Sequence, residues 1–354
     1  MAMIIEAVPP TAALGYHRGM KRWWLIVLLL LLAMADACAQ APAYSASDIP
    51  HWFANTFLDF REDVADAARD GKRLVAYFGQ EGCPYCGKLM ADNFSQRDIV
   101  DTMQRSFVAV ALDLWGDRET TWLDGTVRSE KALARTLGIQ FTPTLLFFDE
   151  RGNVVARLNG YVPPARMRLV LAYVAAHGEA HQTLGDYLAA HAAPATHGAL
   201  HDEPFLLRPP YDLRRKAGGK PLALLFETPD CTACDEMHRE AFRRDDVRAL
   251  LARFDVVRLA LGAATPLVAP DGRRTTARAL GSALGIVYAP TLVFFDETAR
   301  EAFRVDTYVR PFHLASSLDY VASGAYRNEP SFQRFIQARA ARLREEGGNV
   351  DIWR

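Results

Sequence analysis

Two cysteine pairs, each with two residues between its members, carry the chemistry that this sequence could perform. Cys83 and Cys86 form the first pair, and Cys231 and Cys234 form the second. A thiolate in such a pair can attack a disulfide in another molecule, and the second thiol can then displace the bound sulfur. This spacing is typical of dithiol redox sites, so we predict that all four cysteines are catalytic.

The segments that could position each cysteine pair follow one another in the same order in both halves of the chain. Leu74–Phe78 and Leu222–Phe226 are short apolar runs of the kind that form buried strands, and each lies just before a cysteine pair. Helix-like sequence follows each pair. Unpaired N–H groups and the helix dipole at a helix start favour a thiolate, so we expect Cys83 and Cys231 to be the nucleophiles.

The whole arrangement occurs twice along the chain. Leu146–Glu150 is matched by Val293–Glu297, and Leu137–Ile139 is matched by Leu284–Ile286. A repeat of this length is far longer than a solenoid repeat, and it predicts two tandem domains of ordinary size. Alternating strands and helices within each copy predict an α/β fold, in which a mixed β-sheet is flanked by helices.

The repeat and the composition together predict where the domains begin and end. We assign a signal peptide to residues 1–39, the first domain to 48–176, a linker to 177–217, the second domain to 218–327, and a C-terminal helix and tail to 328–354. Half of the 354 residues are hydrophobic, which is enough for two cores.

The N-terminus has the composition of an export signal. Lys21 and Arg22 precede an apolar stretch over Trp23–Ala35, and Ala37-Cys38-Ala39 offers a small-residue cleavage site. Cleavage there would leave four cysteines, all of them in the two pairs. An exported protein with only such pairs is more typical of a redox enzyme than of a disulfide-stapled domain. We therefore predict a periplasmic protein, with a retained N-terminal membrane anchor or a lipid on Cys38 as the alternatives.

Charge and motif content exclude several other classes of function. The formal net charge of −1 gives no electrostatic basis for binding nucleic acid. Structural zinc sites place their two cysteine pairs ~15–20 residues apart, whereas these pairs lie in opposite halves of the chain. No phosphate-binding loop, serine triad or paired-carboxylate motif stands out. We predict no metal and no cofactor.

The combination of a strand, a C-x-x-C pair at a helix start and a distant proline resembles the thioredoxin superfamily. The resemblance covers roughly 74–176 and 221–323, and with the export signal it is similar to tandem periplasmic proteins of the SoxW or thiol:disulfide interchange type. It implies that Pro143 and Pro290 form cis peptide bonds facing the cysteines. It also implies that these prolines, with Thr142 and Ala289 before them, shape a groove for substrates.

The resemblance implies a thiol–disulfide oxidoreductase that acts on protein dithiols or disulfides, in the reductive or isomerising direction, with a possible membrane electron donor. Two alternatives stay open. One is a non-catalytic client-binding or chaperone module, and the other is a glutathione-dependent, glutaredoxin-like reductase, which the sequence Cys83-Pro84-Tyr85-Cys86 favours. Substitution of the first cysteine pair by serine would separate catalysis from binding.

The surroundings of the two pairs differ from the family pattern and from each other. Asp230, Asp235 and Glu236 flank Cys231, and nearby negative charge disfavours a thiolate. We therefore expect the first pair, at Cys83, to be the more reactive, and the second to have a different redox poise or a structural or relay role.

Thioredoxins have a buried aspartate that accepts a proton, but Tyr77 and Leu225 stand at the corresponding positions here. Glu81 or Glu227 could replace it. His238 lies one helical turn after Cys234, where an imidazole could modulate that thiol near neutral pH. We predict instead a surface histidine, like the histidines of the linker.

Overall fold

The computed structural model describes residues 45, 48–191, 200–229, 231–348 and 350. The predicted signal peptide, Asp230 and one histidine of the predicted linker, His197, therefore lie outside the described residues. No helix within the described ranges is long and apolar enough to cross a membrane.

The first domain contains a four-stranded mixed sheet with helices on both faces. Its elements in chain order are α1 (Phe60–Arg69), β1 (Arg73–Gly79), α2 (Pro84–Asp92), α3 (Arg97–Ser106), β2 (Phe107–Asp113), β3 (Glu119–Thr121), β4 (Val127–Ser129), α4 (Glu130–Thr136), β5 (Thr144–Phe148), β6 (Val154–Asn159), α5 (Pro164–Ala175) and α6 (Leu184–Ala190). The sheet order is β2-β1-β5-β6. Strand β1 runs parallel to β2 and antiparallel to β5, and every residue of β1 is buried because helices cover both faces.

The second domain repeats this sheet. Its elements are β7 (Tyr211–Asp212), β8 (Leu222–Glu227), α7 (Thr232–Glu236), α8 (Asp245–Leu251), β9 (Asp255–Ala260), β10 (Pro266–Val268), β11 (Arg274–Thr276), α9 (Ala277–Ala283), β12 (Thr291–Phe295), β13 (Glu301–Val305), α10 (Pro311–Ala322) and α11 (Phe332–Glu345). The sheet order β13-β12-β8-β9 matches that of the first domain element by element. The predicted mixed α/β fold with two tandem units is therefore confirmed.

Local sequence explains where the key helices begin. Asp59 caps α1 by accepting hydrogen bonds from the N–H groups of Arg61 and Glu62. Proline occupies the first turn of α2, α5 and α10, where the missing N–H costs nothing. A π-helical turn over Met237–Ala241 continues α7, so the second cysteine pair also begins a helical segment of about three turns.

The segment predicted as a linker is divided between the two domains. Its helix, α6, packs Leu184 and Leu188 into the core of the first domain. Its later part belongs to the second domain, because Leu206 bridges to Val256 and β7 pairs with β10. The described part of this segment is thus folded onto one domain or the other, which the Ala-, His- and Pro-rich composition did not indicate.

The two domains contact each other through equivalent positions of the repeat. The Nδ2 group of Asn159 donates to Oδ2 of Asp306 at 2.7 Å, and the two residues are 147 positions apart, which is the repeat offset. Next to them, Thr307 Oγ1 donates to the carbonyl of Tyr161 at 3.2 Å. The same loop of each domain therefore meets its own counterpart.

Phe141 of the first domain extends the apolar contact into the core of the second. Its ring lies 5.4 Å from that of Phe332 and 5.7 Å from that of Phe303. The neighbouring Gln140 accepts hydrogen bonds from the backbone N–H of Phe332 and the side chain of Gln333, each at 2.9 Å. Helix α11 thus packs against both domains.

Candidate active site

The first cysteine pair forms a disulfide at the start of α2. The Cα atoms of Cys83 and Cys86 are 5.3 Å apart. Cys83 occupies the capping position, and its Sγ accepts the backbone N–H of Cys86 at 3.1 Å. A sulfur in this position lies at the positive end of the helix dipole, and this geometry stabilises the thiolate that forms on reduction. Both cysteines of this pair are fully buried.

The second pair forms a disulfide at the start of α7 with the same local geometry. The Cα atoms of Cys231 and Cys234 are 5.1 Å apart, and Cys231 Sγ accepts the N–H of Cys234 at 3.0 Å. Cys231 is partly exposed, whereas Cys234 is buried. Access from solvent therefore favours the second pair. The expectation that the first pair is the more reactive was drawn from charge alone and did not include this burial.

The residues expected to shape a substrate groove include two prolines and the residue before each. The Thr142–Pro143 and Ala289–Pro290 peptide bonds are both cis. Thr142 contacts the first disulfide directly, since its hydroxyl lies 3.4 Å and its carbonyl oxygen 3.5 Å from Cys83 Sγ. Ala289 has no hydroxyl with which to make the first of these contacts.

His238 is buried, so the prediction of a surface histidine was wrong. Only 2% of its side chain is exposed, and its two ring nitrogens face two buried carboxylates. Nε2 lies 2.8 Å from Oε1 of Glu227, and Nδ1 lies 3.0 Å from Oε1 of Glu203. Burial alone lowers the pKa of His238, but its hydrogen bonds to Glu227 and Glu203 outweigh this effect, so the pKa lies above its ordinary value.

Of Glu81 and Glu227, the two residues that could replace the buried aspartate of thioredoxins, Glu227 lies inside the protein. It ends β8, is fully buried and has no hydrogen-bond partner at Oε2 among the described residues. Glu81 is exposed. The buried acid of the second domain is therefore paired with an imidazole, which sequence spacing did not indicate, because Glu203 comes from the predicted linker.

The same linker supplies a second histidine to the surroundings of the second pair. His201 stacks on His238 with ring centroids 4.4 Å apart, and its Nε2 lies 2.6 Å from Oδ1 of Asp235. Asp235 is one of the acidic residues expected to raise the pKa of the Cys231 thiol, and it has an imidazole beside it. In the described ranges, no group of three or more His, Cys, Asp or Glu side chains is arranged to hold a metal ion.

A family model described as a thioredoxin-like domain matches the chain over residues 60–175 and 214–322, which together make up more than half of its length. The chain belongs to the thioredoxin-like domain family. With two C-x-x-C disulfides at helix starts in two such domains, it is a thiol–disulfide oxidoreductase.

Solved structures of similar fold each match only part of the chain. A thioredoxin-fold protein from Helicobacter pylori is 19% identical, covering 39% of this chain and 88% of its own, with a TM-score of 0.34. A putative disulphide-isomerase from Bacteroides thetaiotaomicron is 24% identical, covering 41% and 100%, with a TM-score of 0.29. A thioredoxin from Thermus thermophilus is 27% identical, covering 35% and 92%, with a TM-score of 0.27. No curated protein matches the chain.

Proposed function

We propose that this oxidoreductase is exported to the periplasm and reduces or isomerises disulfides in other proteins. The observation that carries the proposal is the placement of each C-x-x-C disulfide at a helix start, with Thr142, the residue before a cis-proline, against the first. Export rests on the basic and apolar N-terminal sequence before Gln40. Relationship to the SoxW type stays a prediction.

Reduction of a substrate by either site proceeds in two balanced exchanges. The thiolate of the first cysteine attacks one sulfur of the substrate disulfide, a mixed disulfide forms, and the other substrate sulfur leaves as a thiolate that takes up a proton. The thiolate of the second cysteine then attacks the mixed disulfide. The substrate leaves as a dithiol, reduced by two electrons, and the enzyme retains the disulfide. A dithiol donor, for which we propose a membrane protein, must reduce the enzyme again.

The reduction potential of each pair decides the direction. We expect both potentials, measured in Cys83→Ser/Cys86→Ser and Cys231→Ser/Cys234→Ser chains equilibrated with dithiothreitol, to lie nearer to thioredoxin's value of about −270 mV than to the value of about −120 mV for a strong oxidant. A value near the latter would make the protein an oxidant. If neither pair exchanges with the dithiol, the protein is a binding module instead.

Export is tested separately by the N-terminus of the mature protein. We expect protein recovered from a periplasmic extract of cells expressing the full chain to begin at Gln40, because Ala37 and Ala39 form the cleavage site. An Ala39→Arg variant lacks the small residue that precedes the cleavage site, so we expect its signal peptide to remain attached. Recovery of the unprocessed wild-type chain from the cytoplasm would contradict the proposal.

A further inference from the structure

The two disulfides of this chain differ in exposure although their local geometry is the same. Cys83 and Cys86 are each 0% exposed, whereas the equivalent nucleophile of the second pair, Cys231, is partly exposed. Both pairs lie at the start of a helix after a buried strand, so the secondary structure does not cause the difference. We therefore compare the residues that pack over each cysteine pair.

Tyr85, inside the first pair, is held by the second domain. Its hydroxyl accepts the backbone N–H of Arg310 at 2.9 Å, and its ring meets that of His313 edge-on at 5.9 Å. Burial raises the pKa of Tyr85 to about 12, so the hydroxyl stays neutral. Ala233 stands at the corresponding place in the second pair and has no group that could reach across.

The groove beside the first disulfide is filled by the loop before α10. A Cβ atom built on Gly160 would lie 2.6 Å from the methyl group of Thr307, so the Thr307 side chain packs directly onto the backbone of Gly160. On the other side, Gln80 donates to Oε1 of Gln333 at 3.4 Å. The cavity that remains between Thr142 and these residues has a volume of about 20 Å³. That is room for about one water molecule and none for a peptide side chain.

The contact between the domains is anchored away from the groove as well. The ring of Phe141 belongs to the aromatic cluster around Phe303 and Phe332, and the hydrogen bond between Asn159 and Asp306 is part-buried. Because apolar burial and hydrogen bonding act together over several elements, this is a packed interface and not a loose contact between mobile domains.

We propose that the second domain occupies the substrate groove of the first, so that the chain rests in a closed form in which the Cys231–Cys234 disulfide exchanges readily and the Cys83–Cys86 disulfide does not. A protein substrate reaches Cys83 only after the loop at Thr307 has moved away. The consequence for turnover rests on the proposed function, but the closure itself is a property of the fold and can be measured without a substrate.

The test measures the rate at which dithiothreitol reduces each disulfide in the full-length oxidised chain. The reduction rate of the first disulfide is measured in a Cys231→Ser/Cys234→Ser chain, and that of the second disulfide in a Cys83→Ser/Cys86→Ser chain. Acid quenching, alkylation and peptide mass spectrometry report the free thiols. We expect the first disulfide to be reduced at least about tenfold more slowly than the second, because a site reached only through an opening is attacked in proportion to its open population.

Two substitutions on different elements of the second domain should open the groove. Thr307→Arg places a long charged side chain against Gly160, and Gln333→Arg does the same against Gln80. Each should raise the reduction rate of the first disulfide by about tenfold, the factor by which closure protects it, and leave the second unchanged. Thr136→Arg, exposed on α4, is the matched control and should change neither rate.

Equal reduction rates for the two wild-type disulfides, with no acceleration by either variant, would overturn the closed form and leave the oxidoreductase assignment intact. A chain in which neither disulfide reacts with dithiothreitol would instead count against the proposed function. Acceleration of both disulfides by Thr307→Arg would mean that the second domain has unfolded. Gln333→Arg then decides, since selective acceleration of the first disulfide supports closure and the lack of it contradicts closure.

Discussion

Replacing Cys231 by serine should abolish thiol–disulfide exchange at the second site, whereas replacing Cys234 by serine should stop the reaction at the mixed disulfide. A serine hydroxyl cannot take part in disulfide exchange, so loss of the attacking sulfur leaves only Cys234. Cys234 is buried, with 2% of its surface exposed, and an incoming protein disulfide cannot reach it. In the Cys234→Ser chain, Cys231 still attacks, but no second thiolate releases the product.

The measurement uses the reduced protein and a peptide with one internal disulfide, in the Cys83→Ser/Cys86→Ser background. Mass spectrometry of the acid-quenched mixture should show a stable mixed disulfide for Cys234→Ser, none for Cys231→Ser, and reduced peptide only for the unsubstituted second site. Serine at both positions is the control and should give no product. A mixed disulfide formed through Cys234 would reverse the assigned roles of the two cysteines.

The second large effect is expected for stability. Exchange of His238 for leucine should lower the free energy of unfolding of the second domain by about 3–5 kcal/mol, because removing one partner of a buried ion pair leaves an uncompensated charge behind. That charge resides on Glu227, which is 0% exposed, because Glu203 keeps an ion pair with Arg243 at 3.4 Å. Urea titration of the oxidised chain, followed by circular dichroism, measures the loss.

His313→Leu is the matched control, since it removes the other buried histidine of this domain. Burial lowers the pKa of His313 to about 4, so this imidazole is neutral at pH 7. We expect its substitution to cost about 1 kcal/mol, the typical effect of a single substitution. Equal losses for the two variants would mean that His238 acts only by filling space.

The contribution of His238 also predicts a dependence of stability on pH. Its pKa is raised in the folded state, so its contribution is fully present below the unfolded-state value of about 6.5 and is lost as the pH rises through the folded-state pKa. The difference in stability between wild type and His238→Leu should therefore shrink in alkaline solution. A difference that kept growing in alkaline solution would contradict the assigned charge state.

The sequence predicted the features that depend on local pattern. The apolar run Leu222–Phe226 lies between turn-forming segments, as is typical of a buried strand, and β8 begins at Leu222 as expected. The repeat of these runs around two C-x-x-C pairs was sufficient to predict tandem α/β domains. The cysteines themselves lie at helix starts because Cys83 and Cys231 cap α2 and α7 through their sulfur atoms.

What could not be predicted depends on contacts between distant parts of the chain. The burial of His238 requires Glu203, 35 residues earlier, and no local pattern places that residue against the imidazole. The partner of Tyr85 is the backbone of Arg310, 225 positions away. Phe141 offered a partial signal, since a large apolar residue next to an exposed groove needs a covering surface, but the sequence did not indicate which surface.

The hydrogen bond between Asn159 and Asp306 joins two residues that occupy the same place in the two repeats. Contacts between equivalent positions are what a two-fold axis produces, and in a dimer of identical chains the facing residues are necessarily the same. In such a dimer, two facing aspartates would repel each other, and two facing asparagines would form a hydrogen bond without a charged acceptor. Fusion of both copies into one polypeptide permits an amide on one side and a carboxylate on the other, so donor faces acceptor. The interface between the two domains is therefore chemically asymmetric. Neither domain carries the residue that would let it take the place of the other at this interface.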